Sequence, residues 1–411
     1  MTVRRTRTVL AATVFAVLFA QVLLYPGITD LVALWADAPA SESLAETGLD
    51  AGKWFLAAEF AGFVLFAGAW GALSDALGRR VPLITAGALG GALGYAALAG
   101  LAFADASFGT VLLVRFAQGA LTIGAFSLSM TMLMDLGGGH GRNMGAAGIA
   151  IGLGTALGAP VGGRLADLDP LAPVVAASAL LVVPGLLVLL VGDRAPAGRE
   201  GVGAAFVRLR SRPALSLPYA FGFIDRLTAG FFALVGTVYF RAAFDLDATA
   251  TGLLLGAFFA PFALLQYPMG VVSDRIGRKI PIALGSTLYG IVVVAVVLAP
   301  DVSLVALLLV LTGVTGAFMS PATMALVTDL AGERERGVAM GGYNVVGSLG
   351  FLVGIVGGGT LAAAFGFTVA FVVVGLAEIA LAVAALPALS RVDPERVRVF
   401  DRGEKSERES A

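Results

Sequence analysis

Twelve apolar runs dominate this chain, at residues 8–35, 51–74, 81–103, 107–134, 143–164, 171–191, 213–240, 250–273, 280–299, 303–328, 338–364 and 367–389. An α-helix of about 20 apolar residues crosses the hydrocarbon core of a bilayer. Every run reaches that length, and a water-soluble fold has no place for twelve of them. Only 13% of the residues are charged, about half of what a soluble surface carries. Mean hydropathy is +0.92. The 55 glycines suit membrane helices, which approach closely where side chains are small. The expectation is an all-α membrane protein with twelve transmembrane helices. Arg4, Arg5 and Arg7 precede the first run as in a secretory signal, but that run is too long for a signal core and further spans follow. It is read as a retained first helix. A basic set of 24 arginines against 3 lysines, in an Ala- and Gly-rich chain, suggests a GC-rich prokaryotic genome.

Composition also excludes functions. There is no cysteine and one histidine, His140, so no ligand cluster for a metal is expected. His140, inside a glycine-rich stretch, reads as a solvated loop residue. No phosphate-binding loop or nucleophile–base constellation points to an enzyme, and no cofactor is expected. A net charge of −1 gives no bulk attraction to nucleic acid. No repeated ring of polar or charged groups suggests a channel pore.

Charge sets the topology. If the loops are numbered alternately, 22 of the 27 basic residues fall on the side of the N-terminus and 3 on the other. Arg115 and Arg226 lie inside runs. By the positive-inside rule both termini are cytoplasmic, in a multi-pass protein of the cell membrane. The opposite loops are acidic, with Asp37, Glu42, Glu46, Asp50, Asp105, Asp167, Asp169, Asp245 and Asp247.

The chain repeats itself. Gly71-Ala-Leu-Ser-Asp75-Ala-Leu-Gly78-Arg79-Arg80-Val-Pro82 returns as Gly270-Val-Val-Ser-Asp274-Arg275-Ile-Gly277-Arg278-Lys279-Ile-Pro281 at an offset of 199. In runs five and eleven, Gly145, Gly154, Gly158, Gly162 and Gly163 return as Gly341, Gly350, Gly354, Gly358 and Gly359 at an offset of 196. Two pseudo-symmetric six-helix bundles follow, at 8–191 and 213–390, with a polar cytoplasmic linker at 192–212 and a charged tail at 391–411. In such an architecture the binding site lies between the halves.

The doubled Gly-x-x-x-Asp-x-x-Gly-Arg-Arg/Lys stretch resembles the signature between helices two and three of the major facilitator superfamily. The resemblance runs from about residue 8 to 390. It departs from the family pattern at Ala76, where a basic residue often stands; the second copy keeps one, Arg275. Arg115 with Gln118-Gly119 in run four also resembles a family signature, whose arginine is associated with proton coupling. Run five, ending Gly158-Ala-Pro160-Val-Gly162-Gly163, resembles the family's antiporter signature, with the proline displaced by one.

The residues carry their own physics. Gly78 and Gly277 permit a tight turn. Asp75 and Asp274 oppose the dipoles of their own helices and need a partner, so the motif is read as a conformational latch; topology alone is the plainer reading. Arg115 needs an acid or water inside the membrane; Glu59 and Asp30 are the partners at similar depth. Asp225 and Arg226, mid-run, are the expected coupling or cavity pair. Gln21, Gln266 and Tyr267 are further cavity candidates. Tyr25-Pro26 and Pro261/Pro268 are expected to bend runs one and eight. Gly145, Gly154, Gly158, Pro160, Gly162 and Gly163 form a helix-packing face. Glu378, mid-run in the twelfth helix, reads as structural because the resemblance makes that helix peripheral.

The expected function is secondary transport of a small molecule by alternating access, proton-coupled and outward, by a monomer in the lipid bilayer. Proton-coupled uptake by the same fold and a non-transporting receptor or scaffold are the alternatives.

Overall fold

The structure, a computed structural model, describes residues 2–36, 43–137, 140–193, 213–331 and 336–391. Most of the linker (194–212) and nearly all of the charged tail (392–411) lie outside the described residues.

Helix α1 is Val3–Val22. It stops at Tyr25-Pro26-Gly27, and the short helix Ile28–Ala33 completes the run. Then come α2 (Leu44–Leu77), α3 (Val81–Leu101), α4 (Phe108–Asp135), α5 (His140–Leu168) and α6 (Ala172–Leu187). Helix α7 is Ser216–Phe231, continued through a π-turn at Phe232–Gly236 into Thr237–Phe244. Helices α8 (Ala248–Ile276), α9 (Lys279–Leu298) and α10 (Val302–Leu330) follow. The last helical stretch, Arg336–Arg391, is broken at Gly366, which has φ 83° and ψ 166°. We call residues 336–365 α11 and 367–391 α12. Eleven described helices are long and apolar enough to cross a bilayer, and the last of them holds two crossings divided at Gly366. Helix α8 runs unbroken through Pro261 and Pro268.

Four helices that start at the acidic loops are capped by side chains. Ser43 and Glu46 form a reciprocal capping box on α2. Ser107, Asp247 and Asp301 accept from the backbone N–H three residues on in α4, α8 and α10. These caps satisfy first-turn amides that have no partner within the helix. The other end is basic, and there the doubled motif makes its two turns. Gly78 (φ 62°) and Gly277 (φ 85°) take backbone angles that a side chain disfavours.

Helices α1 to α6 pack as one bundle and α7 to α12 as another, and the two meet along α5–α8 and α2–α11. Small residues allow the approach. A side chain at Gly163 would strike the backbone of Ala248, one at Gly252 that of Ala159, and one at Gly256 the ring of Pro160. Phe60 of α2 stacks on Phe351 of α11 at 4.2 Å. Hydrogen bonds, an ion pair and a ring contact join the halves at the acidic end and at mid-depth. At the basic end an added side chain at Gly71, Gly145 or Gly341 would meet nothing within 4 Å.

Candidate functional site: buried charges and the contacts between halves

In the first half α2, α3 and α4 bring a polar centre together. Arg115 donates from Nη2 to Glu59 Oε2 at 2.6 Å and from Nη1 to Gln118 Oε1 at 2.7 Å. Gln118 Nε2 reaches Glu59 Oε1 at 3.4 Å and the Tyr95 hydroxyl reaches it at 3.3 Å. The guanidinium also lies 4.7 Å from the centre of the Phe55 ring. Arg115 and Glu59 are both fully buried. A buried pair this well bonded is balanced within itself; removing either partner strands the other. Gly119 lies directly on the backbone of Glu59, which lets α2 and α4 come close enough for the pair to form. Gln21 on α1 is buried, and its Nε2 has no hydrogen-bond partner among the described residues.

Asp30 does not join this centre. It pairs across the halves with Arg241 of α7 at 2.5 Å, and Arg241 also donates to Thr29. Depth along the helix allowed either partner for Arg115, and Glu59 is the one that meets it. A second crossing lies beside the first. Asp167, at the end of α5, accepts from the backbone N–H groups of Ala248 and Thr249 at 3.0 and 2.8 Å. It caps the start of α8 from the opposite half, where a carboxylate is favoured by the helix dipole. Lys53, paired with Asp50, lies against Gly359 of α11 in the same region.

The second half is balanced differently. Asp225 is buried on α7, while its neighbour Arg226 is exposed and runs beside Gly347 of α11. No ion pair to Asp225 occurs among the described residues; the Ser320 hydroxyl sits beside its carboxyl group. Glu378, which the resemblance marked as peripheral, is fully buried. Ser286 of α9 donates to its Oε1 at 2.6 Å, and the Thr228 hydroxyl of α7 lies 3.5 Å from its Oε2. The sequence signal for the burial of Glu378 was its mid-helix position.

The two loop motifs tie their own halves together. Arg80, almost fully buried, reaches Asp135 at the end of α4 at 2.5 Å, and its backbone N–H meets Asp193 at 3.0 Å. Arg278 reaches Asp329 at the end of α10 at 3.0 Å and Asp274 at 2.5 Å. Position 278 matches Arg79 in the repeat, yet Arg80 makes the equivalent contact, a slip of one residue between the copies. Asp75, Arg79, Arg275 and Lys279 are exposed, and Asp75 makes no ion pair among the described residues. Gln266 and Tyr267 line a groove of about 270 Å³ between α8 and α10, together with Gly270, Asp274, Arg278 and Pro321. Sequence reasoning had placed Gln266 and Tyr267 in a cavity and Gly270, Asp274 and Arg278 in a latch. Gly154, Gly158 and Gly162 pack on α1, Gly163 and Pro160 on α8, while Gly145 touches no neighbour in this arrangement.

Comparison with known proteins places this arrangement. Tetracycline resistance protein class G of Vibrio anguillarum is 27% identical over 305 residues, 72% of this chain and 76% of that protein. An uncharacterized MFS-type transporter of Methanocaldococcus jannaschii is 31% identical over 163 residues, 39% of this chain but only 42% of that protein. Multidrug resistance protein 2 of Bacillus subtilis is 35% identical over 133 residues, 32% of this chain and 33% of that protein. Among solved structures, a bacterial homolog of the human lysosomal transporter Spinster, inward-facing and unoccupied, superposes with a TM-score of 0.72 at 15% identity, over 97% of this chain and 98% of the other. The nucleoside transporter NupG gives a TM-score of 0.74 at 15% identity, over 94% and 100%. The family model described as Major Facilitator Superfamily matches residues 9–240 and again 219–410. The chain belongs to the Major Facilitator Superfamily, a family of membrane transporters rather than enzymes.

Proposed function

We propose that this protein is a proton-coupled exporter of lipophilic or amphipathic small molecules, working by alternating access as a monomer. The basic end faces the cytoplasm, as the distribution of arginines argues, and both termini lie inside. On that reading the described conformation is inward-facing.

The observation that carries the reading is the set of cross-half contacts at the acidic end and mid-depth, beside glycines at the basic end where an added side chain would meet nothing within 4 Å. Alternating access needs one set of contacts that closes each side in turn. The pair Asp30–Arg241 and the Asp167 cap on α8 form the outer set. The exposed Asp75 and the groove around Asp274 belong to the inner set. Export is supported by the tetracycline- and multidrug-resistance relatives. Proton coupling is supported by Asp225, a mid-membrane acid without an ion pair among the described residues, next to the exposed Arg226. An intramembrane acid of this kind is a default site for a coupling ion.

The test uses inverted membrane vesicles from a strain lacking its own efflux pumps. Tetracycline and ethidium are supplied with and without an imposed pH gradient. The reading expects gradient-driven uptake of at least one compound into inverted vesicles. Uptake only in right-side-out vesicles would reverse the direction, and indifference to the gradient would remove the proton.

A further inference from the structure

Two buried acids of the second half lack an ion-pair partner among the described residues, and Glu378 is the deeper, at 0% exposure against 4% for Asp225. The polar groups around it come from α7 and α9. Helix α9 contributes Ser286 and Tyr289, and α7 contributes Thr228 and Asp225. Beyond them Ser320 of α10 and Tyr343 of α11 stand by Asp225. Arg226 acts on Asp225 and is exposed.

Among the described residues, hydroxyl groups and no cation meet the carboxyl group. Ser286 donates to Oε1 at 2.6 Å. The Thr228 hydroxyl lies 3.5 Å from Oε2, at the outer limit of a hydrogen bond, and 3.2 Å from the carbonyl of Ile224, and its single proton serves one of them at a time. An ionised group would stand in an apolar interior without a cation, at a cost of several kcal/mol, and Asp225 would add repulsion.

We propose that Glu378 is a second proton-binding site, loaded in this conformation and exchanging its proton with water when α7 and α12 repack. This rests on the reading of the protein as proton-coupled. On release, Oε2 gives H⁺ to water and keeps the bonding electron pair as a carboxylate; no other bond changes.

Infrared spectroscopy of the full-length protein in liposomes tests the site without any substrate. The wild type should show the C=O stretch of a protonated carboxyl group at neutral pH. The band should shift in D₂O and fade reversibly as the bath is made alkaline. It should vanish in Glu378→Gln, persist in Asp225→Asn, and move in frequency in Ser286→Ala. Glu378→Asp, which keeps the acid, covers the case in which the amide fails to fold, and should retain a shifted band. A band unchanged in Glu378→Gln overturns the assignment. A band that neither shifts in D₂O nor fades at alkaline pH overturns exchange and makes the proton a fixed structural one. Failure of gradient-driven flux in the vesicle assay with the band still lost in Glu378→Gln would instead refute proton coupling, leaving the bound proton in place.

Discussion

The two halves share one architecture and balance their buried charge in opposite ways. In the first, Glu59 is neutralised by Arg115, and Gln118 and Tyr95 bind the pair. In the second, Asp225 and Glu378 are buried among hydroxyl groups, and the nearby arginine, Arg226, is exposed. Each half even places a tyrosine of its third helix beside the acids, Tyr95 in one and Tyr289 in the other. A balanced pair cannot gain or lose a proton without stranding a charge. An acid held by hydroxyls can change its protonation with its partners intact. The difference argues that the first half is the firmer body and that the second carries the titrating chemistry.

The comparison predicts its largest stability effect at Arg115. Arg115→Met leaves Glu59 buried without a cation and should cost about 3–5 kcal/mol, while Arg115→Met with Glu59→Leu should recover most of it. Thermal unfolding in detergent measures both. A single substitution as mild as the double one would mean that the pair is not the firm centre of the first half.

Next comes the outer closure. Arg241→Ala removes a partly exposed pair between halves, worth roughly 0.2–1 kcal/mol, so the acidic-end-closed population should fall by up to about fivefold. The chain has no cysteine, so Phe60→Cys and Phe351→Cys, replacing rings stacked at 4.2 Å, give a clean crosslink to report that population. Unchanged crosslinking would leave Asp167 as the contact that closes this side.

The smallest effect is expected at the inner motif. Asp75→Asn should not shift the unfolding temperature measurably, because the side chain is exposed and unpaired among the described residues. It should nevertheless slow flux if the motif closes the inner side in the alternate state. Unchanged flux with Asp75→Asn and Asp274→Asn together would reduce the motif to a topology signal.

Much of the fold was legible in the sequence because hydropathy and glycine spacing act locally. The runs, the repeat, the turns at Gly78 and Gly277 and the break at Tyr25-Pro26 all follow from adjacent residues. Pairing was less legible. Depth along a helix can be counted, but the direction a side chain takes around the axis depends on how helices pack. Asp30 and Glu59 stood at similar depth, and only packing sent one to Arg241 and the other to Arg115. The same limit explains the slip between Arg80 and Arg278, where aligned positions make different contacts. The hydroxyl groups around Glu378 were likewise beyond reach, because they come from α7 and α9 and meet it only through packing.

The central claim is that coupling resides in the second half. Its most direct test is accumulation of tetracycline, or of ethidium if that is the compound moved, in liposomes with and without a pH gradient. The variants are Asp225→Asn and Glu59→Gln, the latter read beside its unfolding temperature. Asp225→Asn is predicted to lose gradient-driven accumulation while keeping substrate exchange, because the amide keeps the shape of the protonated acid and removes only its titration. Glu59→Gln is predicted to keep the gradient response in whatever fraction stays folded. Full gradient-driven accumulation in Asp225→Asn with its loss in Glu59→Gln would put the coupling site in the first half and contradict the account.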